Sequence, residues 1–303
     1  MPDISFSTMW MRGRFARPRD FFLAGVEMGF CSFELSGVAG VQFYDEVHPG
    51  DFDIRSLHDP APADMQSGDL ARNDIVFTSL DEEKRKQAVA ISKGSVDIAD
   101  RYGARAVILH VGRSDADPHL QDQLESLYRE GKTDSPAAGK LRSRLAGERM
   151  VHYEQHMDAL MRSLDDLVPY AAARGVRLGV ENRRHIHEVP NFDEVQRVLA
   201  HYSDDTIGYW HDVGHAETLA VVGMTAHADW LCAFGHRIVG VHLHDVIGLT
   251  DHRAPGTGSI DWQGLAALLP GNGLRTAEIH PEIPAASVST GVAHLAATGW
   301  IRP

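Results

Sequence analysis

Short apolar runs alternate along the chain with longer amphipathic stretches. Residues 4–9 (ISFSTM), 31–36 (CSFELS), 52–57 (FDIRSL), 106–111 (AVILHV), 176–181 (VRLGVE), 206–212 (TIGYWHD), 238–245 (IVGVHLHD) and 275–281 (RTAEIHP) read as eight strands. Near-continuous apolar runs fit parallel strands covered on both faces. Between them, residues 82–103 and 148–175 carry apolar positions at helical spacing and end at Gly103 and Gly175, both plausible C-caps. Residues 191–200 start at Asn191, and residues 259–269 start at Ser259 or Asp261, side chains suited to N-capping. Strict alternation of strand and helix implies parallel strands joined by right-handed crossovers. Eight such units predict an α/β fold of one domain over 1–303, a (β/α)8 TIM barrel. An open doubly wound sheet is the alternative, but no GxGxxG follows the first strand.

One segment breaks this rhythm. Residues 112–144 are polar and charged and carry Asp-Ser-Pro and Ala-Ala-Gly breaks. Following the fourth strand, an insertion over about 112–147 would rise from the C-terminal face, as a helical lid or as an exposed helical excursion.

The chain has 303 residues, enough for one large core, with 29 Lys plus Arg against 42 Asp plus Glu, a formal charge of −13. That field repels polyanions, which argues against nucleic acid or an anionic membrane as partner. The two cysteines, Cys31 and Cys232, are far apart and suggest buried thiols in a reducing compartment. No signal-peptide pattern and no run of about 18 apolar residues occurs, so a soluble cytoplasmic protein without a membrane span is expected. A homo-oligomer is an open alternative to a monomer.

Barrels of this kind place reactive groups at the C-terminal ends of their strands. There the sequence offers His58, His110, Glu181, Asp212 with His215, His242 with His244 and Asp245, and Glu278. Ligand-type side chains at the ends of consecutive strands point to a metal site. Carboxylates gathered without a cation would repel one another and be driven to protonate. Glu181, Asp212, His242 and Glu278 would supply three carboxylates and one imidazole to one divalent ion. Such an oxygen-rich set suits Mn²⁺, Mg²⁺ or Co²⁺, with Zn²⁺ as a further candidate. His58, His110 and His215 are open between ligand, substrate contact and support. His244 is expected to turn toward the helices. His185, His187, His280 and Glu282 are expected to be exposed, and His152 and His156 to lie on a solvated helix face. Arg183, Arg253 and Glu188 sit in mouth loops, either binding substrate hydroxyls or a phosphate, or as solvated surface. The glycines of PGTG (255–258) allow close backbone approach or a tight turn.

The strings GVEN (179–182), HDVGHA (211–216), VHLHD (241–245), PGTG (255–258) and AEI (277–279) resemble the xylose-isomerase-like TIM-barrel superfamily, in order from about His58 to Glu278. That group holds sugar isomerases and epimerases and endonuclease-IV-type AP endonucleases. The resemblance implies one divalent metal on Glu181, Asp212, His242 and Glu278. It makes the two glutamates the proton-transfer pair and His215 a substrate-binding histidine. His58, His110, His215 and His252 match further ligands of the three-zinc nuclease cluster. The remaining aspartate of that cluster falls on Thr250, with Asp251 one residue away, a departure from the nuclease pattern.

The expected activity is a metal-dependent isomerase or epimerase of a sugar or sugar-like polyol or keto-acid. One carboxylate removes a C–H proton, the metal stabilises the enediolate as Lewis acid, and the other carboxylate returns the proton. Glu181 and Glu278 are the candidate pair. His58, His110, His215, His252, Arg253 and Glu188 are the candidate substrate contacts. A lyase, dehydratase or hydrolase on the same metal, or a repair nuclease, are the alternatives, since fold does not fix chemistry.

Overall fold

The structure is a computed structural model that describes residues 3–269 and 271–302. The outermost residues of the expected domain, 1, 2 and 303, lie outside the described residues. Eight parallel strands close into a barrel: β1 (Ser5–Ser7), β2 (Ser32–Leu35), β3 (Asp53–His58), β4 (Ala106–Leu109), β5 (Arg177–Glu181), β6 (Ile207–Asp212), β7 (Ile238–Leu243) and β8 (Leu274–Ala277). Each strand pairs in parallel with its sequence neighbours, and β1 closes the ring against β8. All eight expected strands form, most of them trimmed, while β3 runs one residue further, to His58, and β8 starts one residue earlier, at Leu274.

Period-two alternation sorts the strand residues into two sets. Phe6, Phe33, Leu35, Leu57, Val107, Leu109, Leu178, Val180, Val241 and Leu243 join the main core with the surrounding helices. The alternate positions fill the lumen. Ser5 and Ser32 hydrogen-bond there through their hydroxyls, and Trp210 packs with Ala106, Ile108 and Val239. The indole fits because β7 passes it at Gly240. A Cβ on Gly240 would stand 2.3 Å from the ring. Trp210 thus fills the lumen beneath the mouth with an apolar ring.

The helices follow local signals. Asp81 caps Glu82–Tyr102 through the Glu83 and Lys84 amides, and Gly103 ends it in the left-handed region. Asn191 and Glu194 form a reciprocal capping box at the start of Phe192–His201. The expected helix over 148–175 begins only at Tyr153, because residues up to Arg149 belong to the preceding helix. The expected helix over 259–269 shortens to Trp262–Ala266, capped by Asp261.

The insertion forms two helices, Pro118–Arg129 and Pro136–Arg149. It is no loose excursion. Leu120, Leu124, Ala138 and Leu145 are buried in a second apolar cluster with Ile186, Leu219, Val222 and Trp230. Arg149 is buried and grips both oxygens of Glu194, at 2.6 and 2.7 Å, and the Glu188 carbonyl at 2.7 Å. Gln121 accepts the Ile186 amide at 2.7 Å. The insertion therefore buttresses the loop that follows β5. Among the described residues no helix is long and apolar enough to cross a membrane. Cys31 is half-buried and Cys232 exposed, so the expectation of buried thiols fails for Cys232.

Candidate metal centre at the barrel mouth

Four strand ends bring Glu181, Asp212, His242 and Glu278 together above Trp210. Each offers one ligand atom, and those atoms all lie within 4.8 Å of one another. Glu181, Asp212 and His242 are fully buried, and Glu278 is 4% exposed. His242 Nδ1 faces three carboxylate oxygens, Glu181 Oε1 at 2.7 Å, Glu278 Oε2 at 3.3 Å and Asp212 Oδ2 at 3.6 Å. A single N–H satisfies only one of them, and uncompensated buried carboxylates are costly. One divalent cation among these oxygens would satisfy all three, and ligands on opposite sides of a Mg²⁺-sized ion stand roughly 4.2 Å apart. The donor set fits such an ion.

Glu181, Asp212 and His242 are each braced from behind. The second Glu181 oxygen receives His110 Nε2 at 2.5 Å and Arg183 Nη1 at 3.0 Å. Burial opposes the Glu181 charge, yet His110 and His242 hold its carboxyl well below the ordinary range. Burial, with Arg183 and His58 beside it, pushes His110 down to about 3, so it stands neutral and donates. Glu278 has fewer donors. Burial pushes its carboxyl up to about 7 against the pull of His242 and His58. Asp212 Oδ1 caps the helix Val213–Val221 by accepting the His215 amide at 2.7 Å. His244 Nε2 stands 3.0 Å from each Asp212 oxygen, and His244 Nδ1 accepts the His252 amide at 2.9 Å, so His244 donates to Asp212. The glycine of HDVGHA serves this contact: a Cβ on Gly214 would meet the His244 ring at 2.1 Å.

A cavity of about 320 Å³ opens onto this centre. Glu181 and Glu278 line it, while Asp212 and His242 lie behind them. His58, His110, Arg183, Glu188, His215, Asp251 and His252 also line it, and none of the described residues 112–147 does, His110 standing just before that segment. His215 donates from Nδ1 to the Asn182 carbonyl and His252 from Nδ1 to the Glu278 carbonyl, so both Nε2 lone pairs are free toward the cavity. Asp251, one residue off in sequence from the position expected of a nuclease ligand, nonetheless comes together with His215 and His252. Arg253 is half-buried on the hairpin Asp245–Ile247/Thr250–Arg253, in a mouth loop as expected, and is not among the residues that line the cavity.

Several sequence readings are corrected. His244 does not turn toward the helices. It lies two residues past His242, so period two keeps it on the inner side. Arg183 is buried and paired with Glu181 and with Glu188 at 2.9 Å, not solvated. His156 is buried and donates to the Thr78 carbonyl at 2.8 Å, while His152 is exposed as expected. His185, His187 and His280 are half-buried, and Glu282 is exposed. PGTG is a turn around Asp245, whose carboxylate accepts the Val246 and Gly256 amides and the Trp262 indole N–H. Sequence reasoning missed Glu34, fully buried on β2 and bonded to His242. Its signal was a lone carboxylate between Phe33 and Leu35 in the strand SFEL.

The comparisons agree with this architecture. An uncharacterized protein, y4fM, of Sinorhizobium fredii is 25% identical over 201 residues, 66% of this chain and 54% of that protein. The chain thus spans about half the length of that curated relative. The apo structure of a 3-keto-D-glucoside 4-epimerase from E. coli superposes with TM-score 0.64 at 14% identity, covering 98% of this chain and 100% of the other. The structure of IolI protein with a bound zinc atom superposes with TM-score 0.63 at 13% identity, covering 98% of each chain. The family described as xylose isomerase-like TIM barrel matches residues 25–302, and with the closed barrel and its ringed strand ends the chain belongs to that family.

Proposed function

We propose that this chain is a divalent-metal-dependent isomerase or epimerase of a small, carbohydrate-like substrate. The observation that carries the reading is the placement of the two glutamates. Glu181 and Glu278 belong to the four-residue cluster and also line the cavity, whereas Asp212 and His242 face only inward. They are thus the two carboxylates that reach both an ion and a substrate. Glu181, Asp212, His242 and Glu278 would hold the ion, with Mn²⁺, Mg²⁺ or Co²⁺ favoured by the oxygen donors. Zn²⁺ is supported by the zinc atom in the IolI structure. Bound there, the ion would supply Lewis-acid stabilisation to a substrate carbonyl, lowering the cost of removing the adjacent C–H proton.

The chain's own groups do the rest. Arg183 and His110 both donate to one oxygen of Glu181, which fixes its carboxylate in place. Glu278 carries fewer hydrogen bonds and is the freer of the two to take and return a proton. The Nε2 lone pairs of His215 and His252, and the Glu188 carboxylate, present acceptor positions suited to substrate hydroxyls. The loop bearing Glu188 is held by Arg149 of the insertion, which gives that segment a buttressing role. The epimerase neighbour supports this substrate class, and the charge of −13 disfavours polyanions.

Deuterium exchange tests the reading. With a panel of keto-sugars and inosose-type polyols in D₂O, the metal-loaded chain is expected to place deuterium on the carbon beside the carbonyl. Glu181→Gln and Glu278→Gln keep the side-chain size but cannot take a proton at neutral pH, and each is expected to lose about 10²–10⁴-fold in turnover. Wild-type exchange in both variants at saturating metal would reduce the glutamates to ligands. A second reading, phosphodiester hydrolysis, is favoured by the His215, Asp251 and His252 group. Elemental analysis separates the two: one ion per chain supports the isomerase, and three per chain would support the nuclease.

A further inference from the structure

Glu34 is a fully buried carboxylate with no part in the proposed ligand set or proton transfer. It lies on β2, in register with Ser7 of β1 and Ser56 of β3. Its side chain is fully buried. One oxygen accepts the Ser56 hydroxyl at 2.8 Å. The other lies 3.1 Å from His242 Nε2. His242 stands on β7, and β1 and β8 separate the two strands, so this hydrogen bond crosses the lumen rather than joining neighbours. The crossing is open because β1 and β2 present only small side chains there, Ser5, Ser7 and Ser32. A carboxylate placed in that position serves no packing purpose that a leucine would not serve better, since burying a charge is costly unless it is partnered.

An imidazole presents a lone pair to a metal from one nitrogen only when the proton sits on the other. A carboxylate accepting from the far nitrogen fixes that choice and strengthens the ligand. The His242 ring is fixed on its other sides as well. The Trp210 ring lies 5.1 Å away beneath it, and His58 stacks on it at 5.7 Å with planes 9° apart. With Nε2–H held by Glu34, Nδ1 is the nitrogen turned toward Glu181, Glu278 and Asp212.

We propose that Glu34 is a positioning residue. By accepting Nε2–H across the lumen, it holds His242 in the tautomer and ring orientation that present Nδ1 to the metal. This rests on the metal reading above. It makes the centre dependent on a strand, β2, that contributes no ligand. It also explains a carboxylate on a strand whose other inward-facing residue is Ser32.

The test is metal affinity in Glu34→Asp, Glu34→Gln and Glu34→Ala, measured calorimetrically with Mn²⁺ and with Zn²⁺ on the whole chain. Shortening by one methylene draws the carboxylate back by about 1.5 Å, out of hydrogen-bond range. The Asp and Ala variants are therefore expected to bind 10–100-fold more weakly, the usual effect of losing such a partner. Gln, whose carbonyl oxygen still accepts Nε2–H, should fall between them and wild type. Ser56→Ala removes the other bond to Glu34 but leaves His242 held, and should bind within about threefold of wild type. A second readout is independent of affinity. In the Zn²⁺-loaded wild type, ¹⁵N-edited NMR should show a protected proton on His242 Nε2, and in the Asp variant that proton should exchange faster. If the Ala chain does not fold, the near-isosteric Gln and the Asp variants still decide. Normal wild-type binding with unchanged affinity in folded Asp and Gln variants, or a metal on Nε2, would overturn the role of Glu34 alone. A wild type that takes up no divalent ion would overturn it together with the metal reading.

Discussion

Asp212 does two jobs that one pair of substitutions separates. Its Oδ1 caps the helix Val213–Val221 through the His215 amide and receives His244 Nε2, while Oδ2 points toward His242 and the other carboxylates. Asp212→Ala removes the cap, worth about 1 kcal/mol, and leaves a buried imidazole N–H without an acceptor, worth about 1–3 kcal/mol. It also relieves repulsion among buried carboxylates, but so does Asp212→Asn. The amide oxygen of Asn still accepts both donors, so the Ala-minus-Asn difference isolates the helix cap and the His244 bond. That difference should be about 2–4 kcal/mol in the chelator-treated chain. At roughly 2 °C per kcal/mol for a chain this long, it appears as a gap of about 4–8 °C in melting temperature. Both variants should lose metal affinity alike, because neither retains the carboxylate. Circular dichroism melts and calorimetric titration with Mn²⁺ check the two halves. Equal melting temperatures for Ala and Asn would refute the capping role, and wild-type affinity in either would remove Asp212 from the ligand set.

Two further outcomes probe the frame around the site. Arg149→Met breaks a buried pair and strands Glu194, so it should cost about 3–5 kcal/mol, read as a lowered denaturation midpoint; adding Glu194→Gln should recover part of the loss, and a double variant no better than the single would show that the pair is not what holds the loop. Gly240→Ala drives a methyl group into the Trp210 ring, where the Cβ would stand 2.3 Å from it; overpacking of this kind costs typically about 1–3 kcal/mol, and a near-UV dichroism spectrum unchanged from wild type would show that the indole does not fill the lumen at that level.

How far the sequence carries toward this picture depends on the range of each interaction. The strands were legible because their signal is local: runs such as AVIL and GVHL need only a period and a bounding turn to be read. The convergence of the four ligand candidates was legible for a related reason. In a closed barrel the last inward residue of every strand points at one axis, so strand-end position in the sequence already implies proximity in space. His244 shows how narrow that inference is. An error of one residue in counting the alternation sends a side chain from the lumen to the helices, and the backbone returns it beside Asp212.

Glu34 and Arg183 were illegible for a different reason. Each is defined by what it touches across the barrel or across a loop, at sequence separations that no local pattern encodes. Glu34 meets His242 over 208 residues of chain. Arg183 reads as a surface cation because its neighbours in sequence, Asn182 and Arg184, are polar, yet the fold closes the loop onto Glu188 and buries the guanidinium between two carboxylates. A charged residue in such a position is informative because burying it alone is so unfavourable. The sequence showed the carboxylates that would need a cation at the centre. Only the fold shows which groups stand behind them, and those groups hold the centre's geometry: Glu34 on the imidazole, Arg183 on Glu181, and His244 on Asp212.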